Sequence, residues 1–344
     1  MGMQLLMSLS ILVTLHELGH LLPAKWFGMR VEKFYLFFNP RFELFKRQIG
    51  ETEYGVGWLP LGGYVKIAGM MDESLDKEAL KQPPQEWEFR SKPAWQRLIV
   101  MIGGVTVNFM LGIFLLAMLA WQYGDQYLPT DSLTHGIGTS ELAQEMGFRD
   151  GDLVLTVGDR ALKEFNPMAV SAAMLLDKEY QVKVLRDDQE LLLNIPDSSI
   201  LKIPKHNKTK GMLYSIRVPF VIGKVVENSP AAAAALQEGD SVVAINEQST
   251  RYFMEFKRTI APFKDSSILL SFYRDGVLQT KEVGTTAEAT IGVNPYGPDR
   301  YFSFKRKRYS LAESFPVAWN RSIQFMSDQI KGFGQMFEGR LKAS

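Results

Sequence analysis

Hydrophobic positions are unevenly spread along the chain. Residues 98–121 run for 24 positions without a formal charge. As a helix this run is roughly 36 Å long, enough to cross a bilayer. Residues 1–15 are also uncharged, and apolar character resumes at Leu18, Leu21 and Leu22, with only His16, Glu17 and His20 between. Both runs read as transmembrane helices. No basic stretch precedes the first and no small-residue cleavage site follows it, so it does not read as a cleaved signal peptide. Lys25, Arg30 and Lys33 follow the first run, and Arg90, Lys92 and Arg97 precede the second. These charges put both ends on the cytoplasmic side. The chain from Gln122 onward is therefore expected outside the cytoplasm.

The segment between the spans is not an ordinary loop. Phe34, Tyr35, Leu36, Phe37 and Phe38, then Phe42, Leu44 and Phe45, are too apolar for a solvated connection. Residues 51–68 set Gly55, Gly57, Pro60, Gly62 and Gly63 among β-forming residues, the pattern of a compact hairpin. Backbone at membrane depth needs protein or a cavity around it, so this hairpin is expected to re-enter the membrane. Residues 74–95 are polar and carry Pro83, Pro84 and Pro93, as a surface linker does.

An internal repeat occupies the later part. Gly151-Asp152-Leu153-Val154 resembles Gly239-Asp240-Ser241-Val242 at an offset of 88. The same offset carries Arg186-Asp187-Asp188 onto Arg274-Asp275-Gly276 and Ala143 onto Ala231, so one domain occurs twice. Ser229-Pro230 reads as a helix start. Strands are expected at 154–157, 182–185, 242–245 and 269–273. A short helix, a Gly-Asp turn and a strand within each copy resemble a PDZ domain. Near the end, Phe315, Trp319, Ile323, Met326, Ile330, Phe333 and Phe337 recur at helical steps. That helix either lies on the membrane or the repeats, as a gate would, or faces an ordinary core.

The chain thus reads as an α+β membrane protein: transmembrane α-helices with a membrane-reentrant β-hairpin loop, plus two tandem PDZ-like domains. The expected parts are a first transmembrane helix (1–30), the reentrant β loop (31–73), a cytoplasmic linker (74–97) and a second transmembrane helix (98–121). PDZ-like domains at 130–212 and 213–299 and an amphipathic helix at 309–340 follow. Composition adds exclusions. Of 344 residues, 39 are basic and 38 acidic, which argues against a broad nucleic-acid surface. A mean hydropathy of −0.08 is too low for a mostly transmembrane chain. No cysteine is present, so disulfides, thiol catalysis and cysteine zinc sites are excluded.

The chemistry lies in His16-Glu17-Leu18-Gly19-His20, an H-E-x-x-H. On a helix, positions four apart share a face, so both imidazoles can grip one ion. Zinc suits such a pair. Glu17 stands beside the first ligand, where it serves as general base on a water and then as general acid to a leaving amine. Three ionisable side chains inside an apolar segment need a functional reason. A catalytic zinc usually has three protein ligands. The other histidines, His135 and His206, fall in the expected extracytoplasmic part, and no third ligand stands out.

These residues, with Gly55-Val56-Gly57-Trp58-Leu59-Pro60-Leu61-Gly62-Gly63-Tyr64-Val65-Lys66, Gly103-Gly104 and Asn108-Phe109, resemble the site-two protease family of intramembrane metalloproteases. The resemblance implies zinc at His16 and His20 and catalysis by Glu17. It implies that residues 51–68 pair with an unwound substrate segment by strand addition, with Gly55, Gly57, Gly62, Gly63, Tyr64 and Val65 as substrate-binding positions. Asn108 either joins them on substrate backbone or bonds between helices. The implied partners are a transmembrane protein substrate, such as an anti-sigma factor, and the lipid bilayer. The PDZ-like pair either sieves substrates by size or binds peptide or protein ligands, and no nucleic acid is involved. The implied location is a bacterial inner membrane, multi-pass, with the active site near the cytoplasmic side and the PDZ-like pair in the periplasm. In that family a later helix carries Asn-x-x-Pro-x-Pro-x-Leu-Asp-Gly, whose Asp is the third ligand. That stretch is absent from these 344 residues, so the chain as given is expected to be a weak or inactive protease. Two other readings are a membrane-anchored PDZ adaptor without protease activity and a soluble zincin.

Overall fold

The computed structural model describes residues 2–70, 83–209 and 211–340. The first part of the expected linker, 74–82, and the end of the expected reentrant loop, 71–73, lie outside these residues. The chain divides into two compact units. One holds the residues up to Gln122 together with Tyr309–Ser322; the other holds Tyr123–Arg308 and the residues from Ile323 onward.

In the first unit, α1 spans Gly2–Trp26 and α2 spans Ala94–Tyr123. Both are long and apolar enough to cross a membrane. Their large apolar side chains stay exposed, among them Leu5 and Ile11 on α1 and Val105 and Leu119 on α2. A helix in a soluble core would bury them, whereas lipid accepts them. α2 begins at Ala94, inside the stretch expected as linker, because Pro93 precedes a run with no further breaker. The two helices touch backbone to backbone: a Cβ on Gly19 would meet the Gly103 carbonyl oxygen at 2.5 Å. Small residues permit such close crossings.

Between the helices the chain forms a mixed sheet of four strands, not a hairpin over residues 51–68. The strands are β1 (Val31–Leu36), β2 (Phe38–Ile49), β3 (Thr52–Leu59) and β4 (Tyr64–Ile67), in the order β2-β3-β1-β4. β1 runs parallel to β3 and antiparallel to β4, and it separates them. The hairpin in this sheet is β2–β3. The reason is the apolar run at Phe34–Leu36. A strand apolar on both faces belongs in the middle of a sheet, and here Tyr35 is fully buried, stacked on Tyr64 at 5.2 Å. β2 and β4 are the edges. Phe37, at φ 68°, makes the turn into β2, a conformation rare for a bulky residue.

The second unit holds two sheets with one plan. In the first, the order is Gln189–Asn194, Gln181–Arg186, Leu153–Val157, Arg160–Ala161; in the second, Val277–Gly284, Ser267–Arg274, Ser241–Ile245, Gln248–Ser249. Their registers also correspond. Leu153 faces Leu185 as Ser241 faces Tyr273, and Val157 faces Val182 as Ile245 faces Leu270. The offset of 88 residues seen in sequence holds through all of these. Each copy buries an aspartate at the Gly-Asp turn, held in a forked ion pair: Arg186 with Asp152 at 2.8 Å and Arg274 with Asp240 at 2.6 Å. In each, the same arginine also donates to a carbonyl at the end of the preceding short helix, Gly147 or Ala235. Such forks fix geometry as well as charge. The short helices are capped by Ser140 and Ser229, and Pro230 takes the first helical position. The copies meet through Arg258, which pairs with Asp150 and donates to the Thr139 carbonyl. Burial alone would raise the Asp150 pKa, but the Arg258 guanidinium and the Thr139 donors hold it below the ordinary carboxylate range.

The last helix, Leu311–Phe337, starts with a capping box in which Ser310 and Glu313 bond each other's backbone N–H. Its apolar stripe does not face a core. Phe315, Trp319, Ile323, Met326, Ile330, Phe333 and Phe337 are all exposed. The buried positions are Ser314, Ala318, Ser322 and Gln335, and Ala318 packs on Ile113 and Ala117 of α2. Close approach to α2 selects small residues, which leaves the large ones outside.

Candidate metal centre

α1 sets His16 and His20 one turn apart, with ring centroids 4.9 Å apart and planes at 76°. Their Nε2 atoms converge to 3.3 Å. Two nitrogens each about 2.0–2.1 Å from a tetrahedral zinc stand about 3.3 Å from one another. The other ring nitrogens turn to α2. His20 Nδ1 lies 2.7 Å from the Val100 carbonyl oxygen. A carbonyl only accepts, so Nδ1 carries the proton and a neutral ring leaves Nε2 bare. His16 Nδ1 lies 3.2 Å from the Asn108 amide.

Gly104 supplies the space in front of both rings. A Cβ there would meet His20 Nε2 at 2.5 Å and His16 Nε2 at 2.7 Å. The two histidines therefore fit a metal ion, with a glycine cradle at the point where their Nε2 atoms meet. Among the described residues no group of three His, Cys, Asp or Glu side chains forms a complete site. His135 and His206 belong to the second unit. Gly104→Ala should weaken zinc or cobalt binding by at least about tenfold, the scale of an ill-positioned ligand shell. The check is metal affinity of the purified protein, and an unchanged affinity would show that the cradle is not where the ion sits.

Glu17 is buried, on a turn of α1 that meets the chain just before β4. The backbone of Gly63 packs on its stem: a Cβ on Gly63 would lie 3.1 Å from Glu17 Cγ and 2.9 Å from Val13 Cγ1. The edge strand β4 starts at the next residue. The structure thus brings His16, Glu17, His20, Gly63 and Asn108 together. Val65 sits within β4, paired with Phe34. Tyr64 stacks on Tyr35, and its hydroxyl donates to Asn39 Oδ1 at 3.1 Å. The remaining glycines sit at tight packing points of the sheet. A Cβ on Gly55 would collide with the Tyr35 ring, one on Gly57 with the Phe38 carbonyl oxygen, and one on Gly62 would touch the Phe38 ring at 3.0 Å. They let the sheet close on its own aromatics.

Sequence reasoning passed over Gly19, Gly104 and the Val100 carbonyl as parts of the site. The available signal was spacing: Val100, Gly104 and Asn108 stand four apart, the step that also separates the two histidines.

A helix of membrane length that carries a converging histidine pair with a buried glutamate between, set beside a small sheet, defines a membrane-associated metallopeptidase architecture. Residues 4–344 match peptidase family M50, and the chain belongs to that family. Zinc metalloprotease Rip1 of Mycolicibacterium smegmatis is 32% identical over 53% of this chain and 49% of its own length. Metalloprotease MmpA of Caulobacter vibrioides is 30% identical over 56% of this chain and 51% of its own. NMA0084 of Neisseria meningitidis serogroup A, provisionally designated a zinc metalloprotease, is 24% identical over 97% of this chain and 76% of its own. The chain thus spans three quarters of one relative and about half of the other two. A solved PDZ domain from Listeria monocytogenes covers 25% of this chain at 18% identity and a TM-score of 0.22.

Proposed function

We propose that this chain is the catalytic part of an intramembrane zinc metalloprotease that cuts a transmembrane segment of single-span substrates, of which anti-sigma factors are one class. By the order of its parts it resembles regulator-of-sigma-E proteases. The observation that carries the reading is the convergence of His16 and His20 at Gly104, inside a membrane-length helix, with Glu17 buried between them. His16 and His20 hold the ion. When bound, zinc lowers the pKa of water and polarises a carbonyl. Glu17 takes the proton from the attacking water and passes it to the leaving amine. A transmembrane substrate is helical, and its peptide bonds are locked until it unwinds. β4 is a short edge strand that begins beside Glu17, so an unwound segment paired on its free edge lies along the base. Gly63 keeps that approach open.

The protein belongs in a bacterial inner membrane, with this site toward the cytoplasmic side and the two repeats in the periplasm, where the PDZ-like pair filters substrates by size. The test uses a single-span substrate with and without its bulky extracytoplasmic domain. Cleavage of the trimmed form should stop with a membrane-permeant zinc chelator and return with zinc. Deletion of residues 130–299 should let the untrimmed form be cut. Cleavage that persists in chelator sinks the metalloprotease reading. Untrimmed substrate that stays resistant after the deletion sinks the filter, and lost cleavage of the trimmed form favours peptide capture instead.

A further inference from the structure

The flank of the histidine pair is built by one face of α2. Val100, Gly104 and Asn108 are four residues apart, and side chains at that step share a face. Two of the three have clear tasks, since Val100 offers its carbonyl to His20 and Gly104 leaves the gap in front of both rings. We propose that Asn108 is the positioning residue of His16: its side-chain oxygen accepts the His16 Nδ1–H and holds the ring with Nε2 unprotonated and aimed beside His20 Nε2. This rests on the metal-site reading above.

Two observations support it. The Asn108 amide reaches His16 Nδ1 at 3.2 Å, and among the described residues its own Oδ1 is buried without a partner. With the amide nitrogen facing the ring, Nδ1 has to be bare, which leaves the proton on Nε2 and spoils it as a ligand. A half-turn of the amide exchanges its two ends in nearly the same volume. The oxygen then faces Nδ1, and the acceptor that lacked a donor gains one. The NH2 group moves to the buried place that the oxygen leaves, so the gain lies in the ring, not in a better-satisfied amide. Both histidines are then treated alike. Each Nδ1–H donates to an oxygen of α2, from the backbone at Val100 and from the side chain at Asn108, while both Nε2 lone pairs converge. Metal-binding histidines generally donate their second N–H to such an acceptor, which fixes tautomer and ring orientation.

The experiment titrates the full detergent-purified chain with cobalt against a competing chelator and records the visible absorption band. Asn108→Leu has similar volume and no acceptor, and should bind cobalt about tenfold to a hundredfold more weakly, with a changed band. Asn108→Asp keeps the accepting oxygen and should restore wild-type affinity with the wild-type band, which also excludes direct ligation by the new carboxylate. Asn108→Leu that binds as tightly as wild type with the same band overturns the inference. So does Asn108→Asp that binds as weakly as Asn108→Leu, and this arm stands even where the leucine variant does not fold. A wild type that takes up no cobalt, or His16→Ala that binds it undiminished, overturns the metal-site reading and the inference with it.

Discussion

In a protein whose His16–His20 site is completed by a third ligand, Glu17→Gln should reduce cleavage of a single-span substrate by about two to four orders of magnitude, the range of a lost general base, and leave the metal in place. The amide keeps the shape, the polar end and the methylene stem that packs against Gly63, so the fold has no reason to change. It cannot take a proton from water at neutral pH. The measurement is cleavage in membranes beside metal content of the same preparation. Substantial turnover in Glu17→Gln would mean that another group activates the water. Loss of metal together with activity would mean that Glu17 supports the ion rather than the proton.

The second large effect is expected at the sheet edge. Val65→Pro removes a backbone N–H from the middle of β4, whether that group serves β1 or stands at the free edge. β4 has only four residues, so one proline breaks its pairing. Cleavage should fall by at least about tenfold, the effect of a misplaced reacting bond, with metal content unchanged because His16, His20 and α2 lie outside the strand. Val65→Ala keeps the N–H and should retain most of the activity. If Val65→Pro cuts at the wild-type rate, substrate does not pair along β4.

How much of this was legible in the sequence depended on how local each signal is. The two long apolar helices stood out because charge is absent over residues 98–121 and, Glu17 aside, over residues 1–24. The repeated Gly-Asp and Arg positions stood out because a forked ion pair needs both partners at fixed places, so Asp152–Arg186 and Asp240–Arg274 survive where the surrounding residues have drifted. H-E-x-x-H was legible because one helical turn separates its histidines, and their Nε2 atoms do approach to 3.3 Å. The strand order between the helices was not. Residues 51–68 were expected to pair with each other, but β1 fits between β3 and β4, and such long-range pairing leaves no local period. The close approach of Gly55 to the Tyr35 ring and of Gly57 to the Phe38 carbonyl was hidden for the same reason. The last helix had a visible apolar stripe, but the sequence could not show that α2 would take its small residues instead. The part that α2 plays beside the two histidines was hidden because Val100 contributes a carbonyl and Gly104 a gap and a backbone contact, none of which a side-chain motif reveals.

Within α1, His16 and His20 should together hold a metal ion. The most direct measurement is the zinc content per chain of the detergent-purified protein, compared with His16→Ala and His20→Ala. With zinc supplied in the buffer, the wild-type chain should carry zinc and either variant essentially none, with both variants as well folded by circular dichroism as the wild type. A well-folded His16→Ala or His20→Ala protein that retains wild-type zinc would contradict it.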